Sequence, residues 1–151
     1  MVFRGCLENA LYGIYQSRHP ENCETWLLRH ESREAYQKIR REFTIRKLLN
    51  FLKEVDDKIY QSANSLYERT IDYGAHPNER ALTSNLRQTK GEGYIKFDLN
   101  YLTGNTPALH LCLRTNAQIG VCVLFIFRHV YRERYDILGI SDMLEKLKKG
   151  L

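Results

Sequence analysis

Apolar side chains at Phe3, Leu7, Ala10, Leu11 and Ile14 recur every third or fourth position, the one-sided spacing of an amphipathic helix over Phe3 to Ser17. Pro20 ends it. Glu21 to His30, carrying Trp26, Leu27 and Leu28, fits a second short helix, and Ser32 is a candidate cap for a long third helix reaching about Val55. Within that third segment the apolar face moves. At about 100° per residue, Tyr36, Ile39 and Phe43 gather on one side, whereas Ile45, Leu48, Leu49, Leu52 and Val55 point largely to the other. The helix must change neighbours, or bend, near Thr44. A further helix from Asp56 to about Ala75 lines up Ile59, Ala63, Leu66 and Thr70, with small Ser62 and Ala63 permitting close approach.

After a turn around Gly74 and Pro77, a helix from Pro77 to about Leu86 is expected, and then the period changes. Tyr94 to Leu102 alternates polar and apolar residues with aromatic enrichment, behind the punctuation of Gly91 and Gly93. This predicts a strand hairpinned with Leu86 to Thr89, which must lie against the helices to be stable. Thr106 and Pro107 form a cap and first-turn pair opening a helix to about Arg134, the longest apolar element and the expected centre of the fold. Ser141 caps a last helix, acidic early, basic late and closed by Gly150. The expected architecture is one mainly α domain spanning residues 1 to 151, a bundle of six to seven helices with a small β-hairpin.

With 151 residues, 43% of them apolar, the chain can bury a core without disulfides or metal. A net charge of +5 permits an anionic partner without requiring one. Cys6, Cys23, Cys112 and Cys122 include no CxxC pair, so zinc-knuckle and thioredoxin-like motifs are absent from the sequence. Arg4, Glu8 and Asn9 interrupt any signal-like run, which points to a reducing cytoplasmic compartment. The most apolar stretch, Ile119 to Phe127, falls short of the roughly 20 residues that cross a bilayer, so no membrane partner is expected. His19, Cys23 and His30 suggest a metal site only until Pro20 is considered, because it breaks the helical geometry they need. No metal and no cofactor are expected, and Arg4 with Glu8 reads as a structural pair.

Two constellations remain. In "YERTIDYGAHPNERAL", Arg69, Tyr73 and His76 share one face if the helix persists, while Gly74 and Pro77 argue that it stops. His76 then stands before Pro77 at the mouth of the next helix, where the positive helix end disfavours the imidazolium. A neutral imidazole beside the Arg69 guanidinium is a base beside a phosphate-binding cation, the pair that cleavage of RNA through its own 2′-hydroxyl needs. The structural reading of the same residues is a helix stop in which His76 or Asn78 ties down backbone groups. The second constellation is a basic stripe. Arg29, Arg33, Arg40 and Lys47 fall within a sector of roughly 40° on a helical wheel, flanked by Tyr36 and Phe43, and could hold phosphates and stack bases. Such a stripe is equally a solvated helix face.

Arg69, six intervening residues and His76 resemble the Arg…His signature of the HEPN-like superfamily of small all-helical prokaryotic domains. The resemblance implies a metal-independent endoribonuclease, or an RNA-binding relative, acting as a dimer in which Arg69 holds the phosphate and His76 handles the proton. "RGCLENALYGIYQ", "RREF" and "DYGAHPN" are together similar to a set of bacterial helical proteins related to that superfamily, a likeness that brings no activity with it. A homodimer is also expected from the apolar surface of Ile119 to Phe127 and the hairpin. The competing expectation is a non-enzymatic interaction or small-ligand module, such as an accessory protein of mobile bacterial DNA.

Overall fold

Helix α1, Val2–Arg18, buries Leu7, Ala10, Leu11 and Ile14 completely. These positions form the predicted stripe, and a computed structural model, which describes residues 2–72, 83, 86–99, 104 and 107–150, shows what covers it. Helices α2 (Glu21–Leu27), α3 (Arg33–Glu42), α4 (Ile45–Val55) and α5 (Asp57–Thr70) follow, then strands β1 (Leu86–Gly91) and β2 (Tyr94–Leu99). Helices α6 (Pro107–Val130), α7 (Arg132–Ile137) and α8 (Ile140–Lys149) complete the described chain. The fold is mainly α with a small antiparallel hairpin, as expected.

The core is a four-helix arrangement. Leu48, Leu49 and Leu52 of α4, Ala63, Leu66 and Tyr67 of α5, and Ile119, Cys122 and Ile126 of α6 close around the α1 stripe. Burying a Leu or Ile side chain contributes about 1.5–3 kcal/mol, so this cluster dominates the stability of the fold. α1 and α6 meet closely at Gly13, where an added Cβ would stand 3.2 Å from Phe127 Cε1. Arg4 fastens α1 further: its Nε donates to Glu8 Oε1 at 2.8 Å and its Nη2 to the Tyr67 hydroxyl of α5 at 2.8 Å. The Arg4–Glu8 pair is therefore one half of a link between helices.

The segment read as one helix from Ser32 to Val55 is two. Ser32 does cap α3, its hydroxyl accepting from Ala35 N at 3.0 Å, but Phe43 leaves the helix and Thr44 starts a new one by accepting from Lys47 N. The break lets Ile39 and Phe43 bury on one side while Leu48, Leu49 and Leu52 bury on another, resolving the conflict in the apolar pattern near Thr44. Tyr15 of α1 secures the junction, donating its hydroxyl to Glu42 Oε1 at 2.5 Å, with the Phe43 and Phe51 rings edge-on to its own.

Two other expectations need correction. The long apolar helix stops at Val130, not near Arg134: Tyr131 departs from helical geometry and α7 begins at Arg132. It does pack against α1, α5, α7 and α8, burying the stripe Thr115, Ile119, Cys122 and Ile126 with Val123, Phe127 and Val130 partly buried beside it. Leu109, Leu111 and Leu113 in its first half stay exposed. Leu109–Val130 is nonetheless, among the described residues, the one helix long and apolar enough to cross a membrane by length and composition, since the uncharged Asn116 and Gln118 scarcely interrupt it. Ser141 is not the cap of the last helix. Gly139, at φ 67, turns the chain into α8 in a conformation that suits glycine, and Ser141 donates instead to Asp136 Oδ1 at 2.6 Å.

The hairpin pairs Leu86 with Leu99, Gln88 with Phe97 and Lys90 with Ile95, around a turn at Glu92 and Gly93. Because side chains alternate along a strand, Ile95, Phe97 and Leu99 share one face, and they are 53%, 58% and 47% exposed. The hairpin was expected to lie against the helices; it makes no extensive contact with any described helix. The expected Pro77 helix and the Thr106 cap lie outside the described residues.

Candidate nucleic-acid interface

Lys58, Ser62, Ser65 and Arg69 recur at spacings of four, three and four along α5, so they share one face of that helix. Opposite them α6 runs antiparallel: Arg69 near the end of α5 meets Thr115 and Gln118, and Asp56 at its start meets His129 near the end of α6. The two helices diverge just enough to leave a groove between them, with Lys148 of α8 along one side. Its first half, about 310 Å³, holds Arg69, Gln118, Ser62 and Ser65 above a floor of Leu66, Val121, Cys122 and Phe125. The second half, about 380 Å³, holds Asp56, Arg128, His129, Arg132 and Glu145. Lys58, Ile59, Phe125 and Lys148 line both, which makes the groove continuous.

Five cationic side chains, Lys58, Arg69, Arg128, Arg132 and Lys148, face two carboxylates, Asp56 and Glu145. The carboxylates are partly engaged: Arg128 Nη1 lies 3.5 Å from Glu145 Oε1, and His129 Nε2 lies 3.3 Å from Asp56 Oδ2. Lys148 Nζ stands 5.5 Å from the centre of the Phe125 ring, holding a cation over an aromatic face inside the groove. The groove is therefore positively charged along its length and apolar beneath, with one half-buried aromatic ring available as a platform.

Arg69 is held from one side only. Its Nη1 donates to Thr115 Oγ1 at 3.2 Å and to Gln118 Oε1 at 2.9 Å; among the described residues no acceptor meets Nε or Nη2. Among the described residues the edge of the guanidinium suited to two parallel hydrogen bonds meets no acceptor, while Nη1 is already held. Cys122, on the floor, is not a nucleophile of ordinary kind. Burial raises its pKa to about 12, so it stays a thiol at neutral pH.

The sequence-derived site residues separate into three groups. Arg69 lines the groove; His76, Tyr73 and Asn78 lie outside the described residues. The basic stripe is divided by the helix breaks. Arg29 sits in the turn after α2, its guanidinium 4.0 Å from the Trp26 ring centre and donating to the Trp26 carbonyl at 3.0 Å. Arg33, Tyr36 and Arg40 keep a common face on α3, with the Arg40 guanidinium 5.9 Å from the Tyr36 ring centre. Lys47 belongs to α4 and pairs with Glu42 at 3.1 Å, and Phe43 is buried, so it offers no ring to a base.

In the sequence Arg128, His129 and Arg132 read as a solvated, dipole-matched helix end and not as a site, and Thr115, Gln118, Lys58 and Lys148 were not singled out, although Lys58, Ser62, Ser65 and Arg69 carry a readable helical spacing. Comparison with family models, with curated proteins and with solved structures gave no match.

Proposed function

We propose that this protein binds single-stranded RNA in the groove between α5 and α6. The observation that carries the reading is the continuous row of five cations over an apolar floor, with Phe125 and Lys148 placed where a base and its phosphate would lie. Cations tracking a backbone, combined with a ring on which a base can stack, are the physical requirements of strand binding. Arg69 is the phosphate clamp, because its guanidinium lines the groove and is held through Nη1 alone by Thr115 and Gln118. RNA rather than DNA is the choice that the Arg69…His76 resemblance to the HEPN-like superfamily favours.

The test is a titration of a labelled single-stranded RNA at several salt concentrations. Binding should weaken steeply with salt, with a log–log slope of roughly −2 to −3.5 for three to five phosphate contacts on a single strand. Arg69→Ala should weaken binding and make that slope shallower by roughly 0.7. Binding that ignores salt, or that is indifferent to Arg69→Ala, would exclude the groove.

A second reading is favoured by a separate observation. Ile95, Phe97 and Leu99 form an exposed apolar face on the hairpin, and exposed patches of this kind mark interaction surfaces. On this reading the protein is an interaction module, and a second copy of the chain is the homodimer partner expected from the sequence. Sedimentation at micromolar concentration distinguishes the two states.

A further inference from the structure

We infer that His129 and Asp56 form an acid–base pair that cleaves the bound RNA strand at the end of the groove opposite Arg69. The inference rests on the reading of the groove as an RNA site. His129 lies in the last turn of α6 and Asp56 caps α5, so the two are brought together by the antiparallel crossing of helices 73 residues apart in the chain. Asp56 Oδ1 accepts from Ile59 N at 3.0 Å, which fixes the carboxylate, and its Oδ2 lies 3.3 Å from His129 Nε2. A carboxylate holding one ring nitrogen orients the imidazole. In the tautomer with the proton on Nε2, Nδ1 is the basic nitrogen, and it has no partner among the described residues.

The surroundings fit a phosphodiester. Lys58 from α5, Arg128 from α6, Arg132 from α7 and Lys148 from α8 line the same half of the groove as the pair, and Glu145 of α8 is the other charged group there. Four cations can carry the charge that develops on a pentacoordinate phosphorus. In RNA the nucleophile is supplied by the strand itself. Nδ1 of neutral His129 takes the proton of the ribose 2′-hydroxyl, the 2′-oxygen attacks the adjacent phosphorus, and the bond from phosphorus to the 5′-oxygen breaks with its electron pair on oxygen. The imidazolium then returns its proton through water to that oxygen, leaving a 2′,3′-cyclic phosphate and a 5′-hydroxyl. His129 is the catalytic residue in this scheme, and Asp56 is a positioning residue.

The experiment incubates the full chain with single-stranded RNA and, as a control, with DNA of the same sequence, following both binding and the cyclic-phosphate product across pH 5 to 9. Wild type should cleave RNA only. His129→Gln should lose at least about a hundredfold in the cleavage rate of RNA under saturating conditions, the scale expected for losing a general base. Asp56→Asn keeps a capping side chain. It should therefore preserve the melting temperature while shifting the pH–rate profile and slowing cleavage by about tenfold or more. RNA bound but not cleaved by wild type would overturn this inference and leave the groove reading intact; RNA neither bound nor cleaved would overturn both. Cleavage that survives His129→Gln but is abolished by His76→Ala would reject the His129 pair in favour of the Arg69…His76 turn.

Discussion

Tyr15 shows how much one hydroxyl can organise. Its hydrogen bond to Glu42 raises its own pKa to about 12 and holds the Glu42 carboxyl below its usual range, assisted by Lys47. The signs of the two linkages are opposite. Glu42, depressed in the folded state, contributes stability that is present above the ordinary carboxylate pKa and is lost as pH falls through the lower folded value. Tyr15, raised in the folded state, contributes stability that is complete below about pH 10 and is lost as pH rises toward 12. Tyr15→Phe should therefore cost about 1–2 kcal/mol near neutrality, and thermal melts should depend less on pH at both the acid and the alkaline end. Gly13 is the other residue whose chemistry is fixed by a neighbour. Gly13→Val places new methyl groups against Phe127 and should destabilise the fold by about 1–3 kcal/mol in urea unfolding.

Among the elements, the division of α3 from α4 is the feature most legible in the sequence. The apolar side chains before and after Thr44 demand different partners, and no straight helix satisfies both. Thr44→Ala removes the cap that begins α4 and should cost about 1 kcal/mol, measured by denaturant unfolding. The end of α6 was not legible in the same way. Val130, Tyr131 and Arg132 carry no glycine or proline, so nothing local announces a break that tertiary packing imposes. Ser141 misled for a related reason: a serine near a helix start looks like a cap until Gly139 is seen to make the turn. The groove was least legible of all. Lys58 and Arg69 come from one helix, Arg128 and His129 from a second and Lys148 from a third, and only packing sets them side by side.

Over the molecule as a whole, stability is concentrated in the bundle and nearly absent from the hairpin. Ile14→Ala, at a fully buried position in the core cluster, should cost about 2–5 kcal/mol and lower the melting temperature by many degrees. Phe97→Ser, though it removes a larger apolar side chain, should change the stability of the isolated monomer by no more than about 0.5 kcal/mol, because that ring is mostly in water already. The most apolar helix, α6, buries one stripe in the bundle and leaves Leu109, Leu111 and Leu113 on the surface, whereas α1, with charged Arg4 and Glu8 at its start, buries Leu7, Ala10, Leu11 and Ile14 completely.

The stacking of Arg29 on Trp26 has a spectroscopic consequence. Trp26 is the chain's single tryptophan, and α2 lines neither half of the groove. Its ultraviolet emission is thus a private signal from the α2–α3 corner. A strand seated between α5 and α6 should leave that emission almost flat, whereas one seated on Arg33, Tyr36 and Arg40 should alter its intensity or colour, so a cuvette reading can tell the two surfaces apart.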